Sequence, residues 1–307
     1  MRTTDAVHLG LMLAALAVTY LVPFELLLLS YVVLGPAHYL TEISWLHDRK
    51  YFLPQRNVAI VLALVAVAAT LIDNAAWFGF VVWAAFVASA LLTTTTAMQA
   101  TVLTAVAVGV TIVLATQGSS LAVLGILLPT LIHVSLFTLI FMALGAYRSG
   151  SKLQAALVVV YLAAIAVILV EPPTAAMQIP AFAKAAQDYF GNVGPALGRL
   201  LGIAHLQLDT RLTSLLAFVY TYHYLNWFIK ADVIRWADIP RLRLVLVIAA
   251  SAASTALYFY NYAYGFTALL ALSLLHVTLE FPLNALALRQ LGGAVGHSFT
   301  TRVLRRA

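Results

Sequence analysis

Gly35-Pro36-Ala37-His38-Tyr39-Leu40-Thr41-Glu42 places a histidine and a glutamate four residues apart inside a run otherwise apolar enough to cross a bilayer. On a helix, residues four apart share a face. An ionisable pair in hydrocarbon is costly and tends to face a bundle interior, which makes it a functional-site candidate by default. The spacing recurs near the other end in His276-Val277-Thr278-Leu279-Glu280, and His133 and His223 lie in two further apolar runs. The pattern points to a metal site embedded in a membrane.

The rest of the chain supports that setting. Its 307 residues are 63% hydrophobic and 9% charged, against about 25% charged in soluble domains. The apolar runs are continuous and rich in Ala and Leu, without the alternating strands of roughly ten residues that mark a barrel, so the expected fold is an all-α polytopic membrane helix bundle. The expected location is the bacterial cytoplasmic (inner) membrane. The first run, Ala6 to Val22, has no clear small-residue cleavage site and is followed at once by another span, so it reads as a membrane helix and not a signal peptide. The absence of cysteine removes disulfides, thiolate ligands and iron–sulfur clusters together. Any metal must therefore be held by imidazole and oxygen.

Ten transmembrane helices are expected, at 6–22, 25–46, 57–72, 75–92, 98–115, 121–147, 153–171, 210–230, 241–259 and 263–286. They form a single domain over 1–307. With the N-terminus inside, fourteen of the 17 basic residues fall on cytoplasmic segments, leaving only Lys184, Arg199 and Arg211 outside. This asymmetry predicts an N-in, C-in orientation. It also accounts for the net charge of +6 without a nucleic-acid partner. The one long connection, 172–209, is an extracytoplasmic loop in this topology. Its Ala181 to Phe190 segment has the mixture expected of an interfacial helix or a lid. His205, in the same loop, reads as an ordinary loop histidine.

Counting along the spans puts His38, His133, His223 and His276 about 12–13 residues from the outer ends of their helices. At 1.5 Å per residue this is about 18–20 Å down, near the middle of a core about 30 Å thick. Four imidazoles at one level suit Zn, Fe, Cu or Mn, and Glu42 and Glu280 add carboxylates from the same helix faces. The glutamates could ligate the metal, or accept the second ring N–H of a ligating histidine and fix its tautomer. Gly35, Pro36, Pro129 and Pro282 permit kinks that aim the side chains inward. Tyr224 and Asn226 flank His223 and are candidates to orient a ligand or touch substrate, with interhelical hydrogen bonding as the alternative for Asn226.

Other polar features read as structural. His47, with Asp48, Arg49 and Lys50, forms a solvated cytoplasmic cap, and His8 and His297 are interfacial. The Thr93-Thr94-Thr95-Thr96 run makes helix contacts through small hydroxyl residues. Tyr258, Tyr260, Tyr262 and Tyr264 form an aromatic belt.

At the same residues the chain resembles the bacterial Brp/Blh family of membrane β-carotene dioxygenases. Leu34-Gly35-Pro36-Ala37-His38 with Glu42 is similar to its first histidine box, Leu131-Ile132-His133 to the second, Tyr222-His223 to the third, and Leu275-His276 with Glu280 to the last. Trp227 stands where the third box has a second histidine. The resemblance implies an iron site built from histidines on several membrane helices, and oxidative cleavage of a carotenoid.

Together these readings lead to an expected non-haem metal oxygenase, most simply an iron enzyme, acting on a lipid-soluble carotenoid or isoprenoid with dioxygen. Its ligands would be His38, His133, His223, His276, Glu42 and Glu280, with the two glutamates as the catalytic carboxylates. The competing classes are a haem-carrying or structural subunit of a membrane complex, and an ion- or proton-conducting protein. Membrane lipids surround it in every case, and lateral helix contacts would serve any membrane-protein partner.

Overall fold

Pro23 is pre-organised for the first turn of a helix, and the chain then runs helically to Arg49, where Lys50 adopts a left-handed conformation (φ 58°) that closes the end. Midway, Ser30–Leu34 forms a π-helical turn. Pro36 has no N–H to offer the carbonyl one α-turn back, and the wider π turn immediately before it takes up the mismatch. A second π segment, Leu128–Phe137, contains Pro129 and His133. π segments are frequent at functional sites.

The computed structural model describes residues 2–50, 56–72, 75–116, 128–173, 210–230 and 235–304. The helices are α1 (Arg2–Leu21), α2 (Pro23–Arg49), α3 (Arg56–Ala69), α4 (Ala75–Leu91), α5 (Ala97–Thr116), α6 (the π segment Leu128–Phe137 continued by Thr138–Ser149), α7 (Lys152–Val170), α8 (Thr210–Ile229), α9 (Arg241–Tyr260) and α10 (Tyr262–Leu304). No strand occurs among the described residues.

Among the described residues, five stretches are long and apolar enough to cross a membrane: Pro23–Arg49, Leu131–Ser149, Lys152–Val170, Arg241–Tyr260 and Tyr262–Gly293. The expectation of ten spans is therefore met for half of them. The 14 residues of α3 extend about 21 Å at 1.5 Å per residue, short of a 30 Å core. α8 falls outside for another reason: it is rich in tyrosine, threonine and serine because it touches protein on every side. From Leu212 to Tyr224 each of its side chains is buried.

α8 packs against α1, α2, α6 and α7, while α10 packs against α2, α3, α4, α6 and α9. Helices α2, α8, α6 and α10 thus close a ring, each touching the next. Outer helices reverse the usual polarity. α9 buries only Tyr258 and exposes Leu242, Val245, Leu246 and Ile248, whereas Ser30, Thr213, Ser214 and Thr221 are interior. Hydrocarbon puts no penalty on exposed apolar groups and a large one on unpaired polar groups, so apolar-out, polar-in is the arrangement a bilayer selects.

α9 and α10 meet at a tight turn in which Tyr258 is buried and Tyr260 and Tyr264 are exposed. The expected belt therefore holds for the latter two only. A Cβ at Gly265 would overlap the Tyr258 backbone. Gly265→Val is expected to destabilise the protein by about 1–3 kcal/mol, the usual range for overpacking, measurable as a lower melting midpoint of the helical circular dichroism in detergent.

The loop reading for 174–209, including its interfacial helix and His205, lies outside the described residues, as does the side chain of His297. The tetrathreonine run caps helices: the Thr93 and Thr94 hydroxyls bond to Ala90 and Leu91 carbonyls, and Thr96 accepts from the Gln99 amide. His8 is buried and not interfacial. His47 is exposed as expected, and Asp48 beside it pairs with Arg243 of α9 at 2.6 Å.

Candidate metal centre

The four helices that close the ring contribute one histidine each, and the imidazoles follow the helices in cyclic order. His38 (α2) and His223 (α8) have ring centroids 4.7 Å apart, His223 and His133 (α6) 4.9 Å, His133 and His276 (α10) 4.8 Å, and His276 and His38 5.1 Å. Each ring meets the next edge to face, at 72–82°. One nitrogen from each of the four lies within 4.8 Å of the others. All four histidines predicted from the sequence converge on one point inside the bundle.

Glu42 and Glu280 join them from the α2 and α10 faces, each one turn beyond its histidine. Glu42 Oε2 lies 3.1 Å from His38 Nε2 and 3.6 Å from His276 Nε2. Glu280 Oε2 lies 3.3 Å from His133 Nδ1 and 3.9 Å from His276 Nε2. Both glutamates and all four histidines are buried. Among the described residues neither carboxylate is paired with lysine or arginine.

The polar atoms facing this point have few partners other than one another. Both ring nitrogens of His133, Nε2 of His276, and Oε2 of Glu42 and Glu280 make no hydrogen bond. Buried polar groups are bonded in the great majority of cases, and leaving one unmade costs about 1–3 kcal/mol. The tautomer of His276 sharpens the argument. Its Nδ1 lies 3.0 Å from the Ser273 carbonyl, which can only accept, so the proton sits on Nδ1 and a bare lone pair on Nε2 faces two carboxylate oxygens. Those lone pairs repel unless a metal cation or a carboxyl proton lies between them.

The spacing fits such a cation. With metal–ligand bonds of about 2.1 Å, neighbouring donors stand roughly 3.0 Å apart in an octahedron and 3.4 Å apart in a tetrahedron. Three contacts here, at 3.1–3.3 Å, are close to such edges, and the two from His276 to the carboxylates are longer, at 3.6 and 3.9 Å. Two carboxylates would balance a divalent ion in a medium where net charge is costly. The buried four-histidine set and the Glu42–His276–Glu280 set can each hold a metal ion.

Around the donors lies an aromatic and hydroxyl collar that the sequence reading only partly anticipated. Tyr224 sits with its ring 4.9 Å from that of His38, and its hydroxyl is 2.7 Å from the Tyr39 hydroxyl. Tyr39 in turn stacks on His276 at 4.5 Å. Its ring lies back over Gly35, where an added Cβ would come within 3.1–3.3 Å of it. Trp227 meets His38 edge on at 5.5 Å and donates from Nε1 to Thr41 Oγ1 at 3.0 Å. Asn226 is buried with Oδ1 unpartnered.

Thr138 was not anticipated. Its hydroxyl is 2.7 Å from His223 Nδ1, so His223 turns Nε2 inward, 3.1 Å from His38 Nε2. Its signal in the sequence was weak: a threonine five residues after His133, in a segment full of small hydroxyl residues. Partners of this kind typically cost 10–100-fold in metal affinity when removed. Thr138→Val is expected to weaken binding by that factor, and Thr138→Ser to restore it, in a competition titration against a chelator of known affinity.

Compared with protein-family models, curated proteins and solved structures, the chain matches none.

Proposed function

We propose that the protein is a membrane-embedded non-haem metal oxygenase, with iron as its metal and a lipid-soluble isoprenoid or carotenoid as its substrate. The observation that carries this reading is the convergence of six buried donors, with unpartnered atoms among them, in two sets that share His276: the four histidines, and Glu42 with Glu280. His38, His133, His223, His276, Glu42 and Glu280 hold the ion. A donor set of imidazole and carboxylate is typical of redox-active iron, and the bound ion would supply one-electron chemistry with dioxygen.

The chain's own residues supply the rest. Thr138 and the Ser273 carbonyl orient His223 and His276. Tyr39, Tyr224 and Trp227 exclude water from the donor side, and Glu42 and Glu280 neutralise the charge and are the groups able to hold a proton at the centre. An apolar bundle admits a hydrocarbon substrate from the bilayer without passing it through water. In this reading all ten helices belong to one bundle in a bacterial inner membrane, with both termini inside, as the distribution of Lys and Arg favours. The resemblance to the Brp/Blh dioxygenases supports the substrate class.

A haem-carrying subunit is the weaker reading, because His38 Nε2 and His223 Nε2 at 3.1 Å leave no room for a porphyrin between them. A conducting path is weaker too, since these polar groups gather at one depth. Elemental analysis of the purified, folded protein is expected to give about one non-haem metal ion per chain, with no Soret band. Oxygen uptake should require an added isoprenoid. Metal-free protein with a native circular dichroism spectrum and undiminished function would overturn the proposal.

A further inference from the structure

His276 belongs to both donor sets, the four histidines and the group it forms with Glu42 and Glu280. The two sets lie at different levels. Glu42 and Glu280 each follow a histidine by four residues, which sets them one turn, about 6 Å, farther along the helix than His38 and His276. His223 marks the opposite end. Among the described residues it is the one histidine of the four that pairs with neither carboxylate, and its ring nitrogens face Thr138 and His38.

His276 cannot serve both sets at once. Its Nδ1 carries the proton that faces the Ser273 carbonyl at 3.0 Å, which leaves one lone pair, on Nε2, for one ion. Charge also favours a single ion, because two divalent ions against two carboxylates would leave two positive charges buried without compensation, which is costly. The donors differ in kind as well: imidazole suits zinc and copper, whereas carboxylate suits manganese. We propose that the centre offers one ion two alternative positions that share His276. An all-imidazole position, with His38, His133 and His223, takes zinc-like ions, and a carboxylate position, with Glu42 and Glu280, takes harder ions such as manganese. The proposal rests on the metal-centre reading above and adds how the six donors divide. In the imidazole position the carboxylates compensate the ion from beside its ligand rings, 3.1 Å from His38 and 3.3 Å from His133. In the carboxylate position they bind it directly. The His276 proton stays on Nδ1 in both. Iron accepts either kind of donor, so the iron of the proposed function can use both positions.

Zinc and manganese titrations of the purified protein, each against a chelator of known affinity, test this beside X-ray absorption at the two metal edges. Wild-type protein is expected to hold about one ion per chain even with both metals present. The absorption spectra should show four imidazoles around zinc and one around manganese. His223→Gln should weaken zinc about tenfold or more relative to manganese, and Glu280→Gln should weaken manganese by a similar factor relative to zinc. His133→Gln and Glu42→Gln serve where the first pair does not fold. A general loss of affinity cannot produce this crossed pattern, because each variant is read as a ratio of two metals. Equal losses of both metals in each variant, equal imidazole counts around the two metals, or two ions held at once by wild-type protein would overturn the divided positions and leave the metal centre standing. Wild-type protein that binds neither metal overturns both.

Discussion

His276→Ala is expected to empty the metal centre while leaving the helix bundle folded. His276 is the donor common to both candidate sets, the four histidines and the Glu42–His276–Glu280 group. It is the histidine whose tautomer is dictated, by the Ser273 carbonyl at 3.0 Å, and whose Nε2 is both unpartnered and directed at two carboxylates. Its loss removes one ligand and also leaves Glu42 and Glu280 facing a void. Metal affinity should fall by more than the roughly 10–100-fold typical of outer partners, and activity with it. The exposed His47 supplies the control: His47→Ala should retain full metal content. Elemental analysis beside circular dichroism reads both results. Retention of metal by folded His276→Ala protein would show that the cluster is a hydrogen-bonded core and not a ligand set.

The second large effect is on stability. Removing the ion should lower the melting point well beyond the effect of any single surface substitution. Without it the unpartnered atoms of His133, His276, Glu42 and Glu280 remain buried, at about 1–3 kcal/mol for each unmet group. Mass action gives a similar scale, since a ligand at 1,000 times its dissociation constant stabilises by about 4 kcal/mol. A loss of several kcal/mol shifts the midpoint by roughly 10 °C in a chain of this size. Chelator-treated and metal-reloaded samples in the same detergent provide the comparison. Superimposable melting curves would mean that nothing binds at the centre.

Much of the site was legible before any coordinates. The i, i+4 pairs His38–Glu42 and His276–Glu280 are conspicuous because hydrocarbon surroundings leave so few reasons for an ionisable residue, and counting along apolar runs put four imidazoles at one depth. The parts that were not legible depend on packing. Thr138 looks like any small hydroxyl residue until α6 lies against α8. Trp227, in the sequence only a departure from the third histidine box, sets its ring against His38 and bonds to Thr41. Span counting goes beyond length and apolarity at two helices: α8 is polar because most of its surface faces protein, and α3 is short.

The sequence by itself determined the solvent, the element and the donor chemistry. Continuous apolar runs demand helices in a bilayer, and a chain without cysteine that places histidine and glutamate in those runs can offer metals only nitrogen and oxygen. Only the tertiary structure decided which helices adjoin. The cyclic contact of α2, α8, α6 and α10 turns four separate imidazoles into one ring. The ring itself, and the Ser273 carbonyl that fixes the His276 tautomer, come from side chains and backbone packing in three dimensions, a property that no spacing along one helix can express.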